Sequence, residues 1–376
     1  MSTDEGLRGA TASAPRFGDG RQTSELPARI VAGRRKRADT ARMPVATRIT
    51  IAAVMCAILA AMMGLPVADA RTAGVAARGQ TLFGMNVPSL EQLDASESAV
   101  GARAAIVGTF ADWAHSPDFP RGLVDAIGAR GAVPLISWEP WDSWRGGVDQ
   151  PRYALRRIVA GSYDPLIDRW ATEIARTRRP VMIRFAPEMN GDWRPWATGV
   201  NGNRPGDYVA AWRHVRSRFS RAGARDVVWV WNPVIAYDGS TPLRELFPGP
   251  REVDWMAVDG YNWGSARPWG WQSYSDIFPP TVRALERLAP GRPVMIAETG
   301  SAPDARKPAW VADALRSAHA DRLGAVVWFE FDKETEWRLG ADPATAGTAG
   351  AVVRGPGWRR AGDLPAIAGL VHAGRR

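Results

Sequence analysis

Glu188 closes the apolar run "VMIRFAP" (Val181 to Pro187), and Glu298 closes "PVMIA" (Pro293 to Ala297), so each sets a carboxylate where a buried strand would reach its mouth. Two carboxylates on opposite sides of an acetal can divide its hydrolysis between them. One protonates the leaving oxygen while the other attacks the anomeric carbon. Either residue alone would read equally well as half of a structural ion pair. Their surroundings favour chemistry: Glu188 is followed by Asn190, Gly191, Asp192 and Trp193, which bring an amide, a flexible joint, an acid and an indole to the same place.

Other chemistries find little support. His115, His214, His319 and His372 show no paired ligand spacing, and no H-E-x-x-H or cysteine cluster occurs, so the sequence implies no metal. No glycine-rich phosphate loop follows a strand and no G-x-S-x-G elbow is found, which leaves no organic cofactor to expect.

The elements that must position the two acids are legible as apolar runs. "TLFGMNV" (81–87), "AAIVGTF" (104–110), "AVPLISW" (132–138), "PVMIRFA" (180–186), "DVVWVWN" (226–232), "DWMAVDG" (254–260), "PVMIAET" (293–299) and "AVVWFEF" (325–331) make eight candidate strands. Amphipathic segments alternate with them. In "GDYVAAWRHVRSRFSRAG", Asp207 is placed to cap a helix, Val209, Trp212, Val215 and Phe219 share a face, and Gly223 ends it. "LIDRWATEIARTRR" and "PAWVADALRSAHADRLG" follow the same pattern. Eight strands with intervening helices over roughly 270 residues predict a (β/α)₈ TIM barrel. Residues 71–376 show no repeat, linker or second domain, and are expected to form one catalytic domain.

In such a barrel, function gathers at the C-terminal ends of the strands. The candidates there are Asn86, Asp112 with Trp113, Glu139, Glu188, Asn232, Asp259 with Tyr261, Glu298 and Glu330. Strand ends four and seven face each other across the mouth, which would bring Glu188 and Glu298 to either side of a substrate. All 18 tryptophans lie after Ala70, many in loop-like stretches such as "SWEPWDSW", "NGDWRPW" and "YNWGSARPWGW". Indoles are common core residues, yet among Gly, Asp, Asn and Pro they also suit stacking on sugar rings.

The net charge of +9 is less informative than its size suggests. Residues 71–376 carry 38 basic and 33 acidic side chains, spread without a focused stripe, so no nucleic-acid partner is expected. Residues 1–48 form a polar leader, and Ile49 to Ala70 reads as the apolar region and A-x-A cleavage site (Ala68 to Ala70) of a secretory signal. Met43 opens a segment of ordinary signal proportions and is the expected true start. Cleavage after Ala70 would remove the single cysteine, Cys56, which suits a secreted product. An uncleaved membrane anchor is the alternative, because the run is nearly long enough to span a bilayer.

"RFAPEMNGDWRPW", "VVWVWNP", "VDWMAVDGYNWG", "PVMIAETGS" and "AVVWFEFDKETEW", in this order over roughly residues 81–345, resemble glycoside hydrolase family 26, which contains many β-mannanases. The resemblance implies a retaining mechanism with Glu188 as acid/base and Glu298 as nucleophile. It further implies that Tyr261 hydrogen-bonds the nucleophile and that Trp193 and Trp328 stack on sugars. Arg184 would lie beneath the acid/base as a buried partner, in a catalytic or purely structural role. Asn190 and Trp113 join the substrate-binding candidates, and Asp259 and Glu139 would bind hydroxyls or cap loops. Pro187 departs from the pattern, because mannanases of the family commonly have His directly before the acid/base.

The expectation is therefore a secreted, monomeric endo-β-glycosidase acting on a polysaccharide, by default β-1,4-mannan. A mixed-linkage β-glucanase or an exopolysaccharide hydrolase is the alternative enzyme. An inactive glycan-binding protein is the alternative from another class, and retention of both glutamates speaks against it.

Overall fold

The computed structural model describes residues 79–362. The polar leader, Met43, the apolar segment with its cleavage site, and Cys56 lie outside them. Among the described residues, no helix is long and apolar enough to cross a membrane.

All eight predicted strands form: β1 (Thr81–Asn86), β2 (Ile106–Asp112), β3 (Val133–Glu139), β4 (Val181–Phe185), β5 (Val227–Trp231), β6 (Trp255–Asn262), β7 (Val294–Ser301) and β8 (Ala325–Phe329). Each pairs in parallel with its neighbour, and β1 pairs with both β8 and β2, which closes the barrel. A two-residue β9 (Trp358–Arg359) adds to the start of β1.

Helices fill the return paths, the longest being α1 (Leu90–Val100), α4 (Asp164–Thr177), α5 (Pro205–Arg221), α9 (Lys307–Ala320) and α10 (Pro343–Val353), with shorter α2 (Arg121–Ala129), α3 (Leu155–Val159), α6 (Leu243–Leu246), α7 (Tyr274–Ile277) and α8 (Pro279–Leu288). Asp207 sits one turn inside α5 rather than at its cap. Its carboxylate accepts the backbone N–H of Arg204, 2.8 Å away, because Pro205 at the first helical position moves the start upstream. Gly223, at φ 73°, follows the last turn as expected.

Strand alternation divides the core in two. Leu82, Leu135, Met182, Val228, Met295 and Val327 fill the barrel interior, fully buried, while Val181, Ile183 and Phe185 of β4 turn outward to the helices. Each such side chain contributes about 1.5–3 kcal/mol by leaving water. The same alternation carries Arg184 inward above Met182, at the top of the packed interior.

β7 breaks the alternation where chemistry requires it. Val258 of β6 pairs with Ile296, but Asp259 pairs with Glu298, so Ala297 is an extra residue in β7. Inward-facing Met295 and Ala297 would, by strict alternation, send Glu298 out to the helices. The bulge turns it inward instead. The carbonyl of Ala297 accepts an N–H from the buried Asn86 side chain at 2.8 Å. Asn86 in turn requires Gly108 beside it, since a Cβ there would lie 1.7 Å from its Oδ1.

Candidate active site

Glu188 sits on a strained turn. Ala186 (φ 46°) and Glu188 (φ 58°) both adopt the left-handed region around Pro187, which costs on the order of 1–3 kcal/mol per residue. Three sets of bonds hold the turn: Glu188 N–H donates to Asn232 O (2.7 Å), Trp196 Nε1 donates to Pro187 O (2.7 Å), and the Asn190 amide exchanges two bonds with the Val234 backbone (2.9 and 3.0 Å). The amide of Asn190 is thus spent on joining two loops rather than on substrate.

The Glu188 carboxylate is gripped from one side. Its Oε2 accepts from Trp193 Nε1 (2.9 Å), Arg194 Nε (3.0 Å) and Arg194 Nη2 (2.9 Å). Burial pushes its pKa upward, but Arg194, the Trp193 bond and the more distant Arg184 outweigh burial and hold it below the usual glutamate value. The resting site therefore favours ionised Glu188.

Glu298 is held from below. Arg184 Nη1 lies 2.8 Å from its Oε1, and the Tyr261 hydroxyl donates to its Oε2 at 2.7 Å. Arg184 also bonds Asp259 Oδ2 at 2.7 Å, and both members of that pair are fully buried. Arg184 thus lies beneath Glu298 rather than directly under Glu188. Burial raises Asp259 well above the ordinary aspartate value despite Arg184, which has Glu298 to serve as well. Glu139, at the end of β3, is likewise raised by burial, with Arg194 opposing.

Glu188, Asp259 and Glu298 each bring one carboxylate oxygen within 4.8 Å of the others. Three acids so close would suit a cation, but the Arg184 guanidinium already donates positive charge to two of them. The buried carboxylates Glu139, Glu188, Asp259 and Glu298 thus surround two guanidiniums, those of Arg184 and Arg194.

Trp193 rises beside this pair, 42% exposed and stacked on Tyr237 (centroids 6.1 Å, planes 21° apart), itself 41% exposed. Its ring lies so close over Gly191 that a Cβ there would come within 2.6 Å. Together the two rings make a flat, wet aromatic surface next to Glu188. On the other side, Phe329 packs edge-on to Tyr261 (5.7 Å) and against Phe110 and Phe331.

Several sequence-based assignments need correction. Trp328 is fully buried, faces outward to Trp310 of α9, and donates Nε1 to Trp337 O (2.9 Å), so it cannot stack on a sugar. Trp113 is buried among Trp138, Tyr163 and Phe185 on the same outer side as Val107 and Ala111. Asp259 has no exposed surface and positions Arg184 rather than meeting substrate. Glu330 also leaves the ring of candidates, accepting bonds from Ser96 of α1 (2.8 Å) and from Leu339 N–H (3.1 Å). Tyr237, Phe110, Phe329 and Arg194 were missed. Arg194 was legible only as part of "NGDWRPW", where nothing marks it as more than a loop cation.

Comparisons with known proteins point to the glycoside hydrolases. Residues 140–297 match the family model for glycosyl hydrolase family 26. Endoglucanase H of Acetivibrio thermocellus is 33% identical over 264 residues, which is 68% of this chain and 28% of that protein. Beta-1,3-xylanase TXYA of a Vibrio species is 26% identical over 164 residues, covering 43% of this chain and 34% of the relative. The chain spans about a third or less of the length of these curated relatives. Among solved structures, a GH26 beta-mannanase from Bacteroides ovatus superposes with a TM-score of 0.58 at 16% identity, covering 78% of this chain and 94% of that one.

Proposed function

Because the chain belongs to glycosyl hydrolase family 26, we propose that it is a retaining endo-β-glycosidase in which Glu298 is the nucleophile and Glu188 the acid/base. The observation that carries this reading is the approach of their oxygens to within 4.8 Å. Retaining pairs lie about 5–5.5 Å apart, whereas inverting pairs need about 6.5–9.5 Å to admit a water.

Glu298 attacks the anomeric carbon while Arg184 and Tyr261 fix its two oxygens, so its geometry is set before substrate arrives. Glu188 gives a proton to the departing sugar, then takes one from the water that hydrolyses the glycosyl-enzyme. The exposed Trp193–Tyr237 surface suits the flat face of a sugar next to the bond that breaks.

On substrate, two observations favour a β-glucan over the default β-mannan. Pro187 offers no side-chain donor where the family's mannanases commonly have His, and the curated relative at 33% identity is named an endoglucanase. Mannan cleavage remains the second reading, supported by the fold shared with the Bacteroides ovatus mannanase. Reducing-end release from mannan, xylan, mixed-linkage glucan and bacterial exopolysaccharides tests both. Faster release from glucan supports the first reading, faster release from mannan the second, and activity on none would overturn the enzymatic reading in favour of a glycan-binding role.

Export with cleavage after Ala70 belongs to the same proposal and rests on the A-x-A site. Secreted protein beginning at Arg71 supports it, and upstream residues on the exported chain would favour an anchor.

A further inference from the structure

A general acid needs a proton at the moment of bond cleavage, yet the resting site holds Glu188 ionised. Three N–H donors crowd Oε2, and Arg194 contributes two of them. A proton on Oε1 would leave Oε2 still accepting, but a guanidinium at 2.9 Å favours the ionised form, so release of Arg194 would let Glu188 hold the proton it must deliver.

A second carboxylate stands ready to receive the guanidinium. Arg194 Nη1 already lies 3.9 Å from Oε2 of Glu139, and Oε1 of Glu139 is buried with no hydrogen-bond partner. An unpaired buried carboxylate oxygen is costly, and a guanidinium is the natural group to satisfy it. Two indoles flank the guanidinium where it stands: it lies 5.3 Å from the ring of Trp141 and 5.6 Å from that of Trp196, which meet at 84°.

We propose that Arg194 is a positioning residue that clamps Glu188 in the empty cleft and transfers to Glu139 when a sugar binds, freeing Glu188 to carry the catalytic proton. The inference rests on the acid/base reading of Glu188. As the guanidinium departs, Glu188 takes up one proton from solvent, and Arg194 keeps its charge at Glu139. A sugar entering over Trp193 would drive the exchange, because Trp193 and Arg194 share the same carboxylate oxygen.

The other charged or titratable groups acting on this cluster are Arg184 of β4, Asp259 and Tyr261 of β6, Glu298 of β7, Asp192 beside the turn, and Tyr237 after β5. Arg184 is committed to Asp259 and Glu298, and the acids among these groups repel rather than hold Glu188. Among the described residues, Arg194 is the cation that ion-pairs with both Glu188 and Glu139.

The test is the pH dependence of kcat/KM, which reports the free enzyme, and of kcat, which reports the complex. Both are measured on whichever of β-glucan and β-mannan the enzyme cleaves faster, and on the matching dinitrophenyl glycoside, whose leaving group needs no proton. In wild type the alkaline limb of kcat/KM should lie below that of kcat. Arg194→Met should raise the kcat/KM limb by about one pH unit or more, because an opposite charge at contact is removed. Glu139→Gln should leave Arg194 on Glu188, lowering kcat about tenfold on the polysaccharide and less than about threefold on the dinitrophenyl glycoside.

Unmoved limbs in Arg194→Met, or equal losses on both substrates in Glu139→Gln, would overturn the role of Arg194. Arg194→Lys, which keeps the charge without the fork, should shift the limb in the same direction by less, and stands in if the Met variant fails to fold. Glu188→Ala, read by kcat/KM on the same two substrates because Glu188 also serves as base in the second step, separates the failures. If it impairs both equally, the acid/base assignment falls and the Arg194 role with it. If it spares the dinitrophenyl glycoside while the limbs stay fixed, the Arg194 role falls alone.

Discussion

Asp259 and Glu298 face each other across the β6–β7 ladder one residue out of step with the strands below them, and Arg184 hydrogen-bonds Asp259 and ion-pairs with Glu298 from inside the barrel. The extra residue, Ala297, is what brings Glu298 into the mouth, and its carbonyl is held by Asn86.

Asn86→Ala should therefore cost stability and catalysis together. Leaving the buried Ala297 carbonyl unpaired costs about 1–3 kcal/mol. A loosened bulge would mis-aim Glu298, so kcat should fall more than KM changes. Urea unfolding and steady-state kinetics check both, and a variant with wild-type kcat would show that the bulge holds without Asn86.

Pro187→His should improve mannan cleavage more than glucan cleavage, because a ring nitrogen restores a donor that a hydroxyl in the cleavage subsite could use. Matched manno- and gluco-oligosaccharides provide the comparison of kcat/KM. Equal changes on both would assign Pro187 a backbone role only, in keeping with the left-handed residues on either side of it.

Glu330→Gln should stabilise the protein in a pH-dependent way. Burial pushes the Glu330 carboxyl up to about 7, against Leu339 N–H, Ser96 and Lys307, which favour the charged form. Below the unfolded value of 4.5 both states are protonated and the residue costs nothing. As pH rises from there through about 7, the unfolded chain ionises first and stability drains away, by up to about 3 kcal/mol. The gain from the amide should thus be small at pH 4 and full at pH 8. An equal difference in unfolding midpoint at both values would contradict the titration.

Trp328→Ala and Trp193→Ala should fail in opposite ways. The first empties a fully buried site beside Trp310 and should lose about 3–5 kcal/mol of stability. The second removes half of an exposed platform, so kcat/KM should fall about tenfold or more with Tm nearly unchanged. Thermal melts and kinetics on the two variants distinguish a core indole from a substrate-facing one.

The eight strands were legible because each is a short apolar run bounded by polar turns, and buried parallel strands have that signature. Glu188 and Glu298 were legible from their place after such runs. Which way a residue faces was harder. Trp328 looked functional by type, but its neighbours Ala325 and Val327 face the barrel interior, so alternation sends Trp328 to the helices. Alternation would have misplaced Glu298, because the bulge at Ala297 arises from pairing with β6, a partner distant in sequence. Arg194 and Tyr237 stayed hidden for the same reason: their importance lies in contacts to Glu188, Glu139 and Trp193 that loop conformation alone creates.

The stereochemistry of the first-formed product tests the central claim most directly. Proton NMR of a β-linked oligosaccharide during early turnover, before mutarotation, reads the configuration of the newly released reducing end. With Glu298 attacking and Glu188 assisting from within 4.8 Å, the new end should appear first as the β anomer, with α growing in only later. An α anomer formed first would mean direct attack by water, and would contradict the roles given to both glutamates.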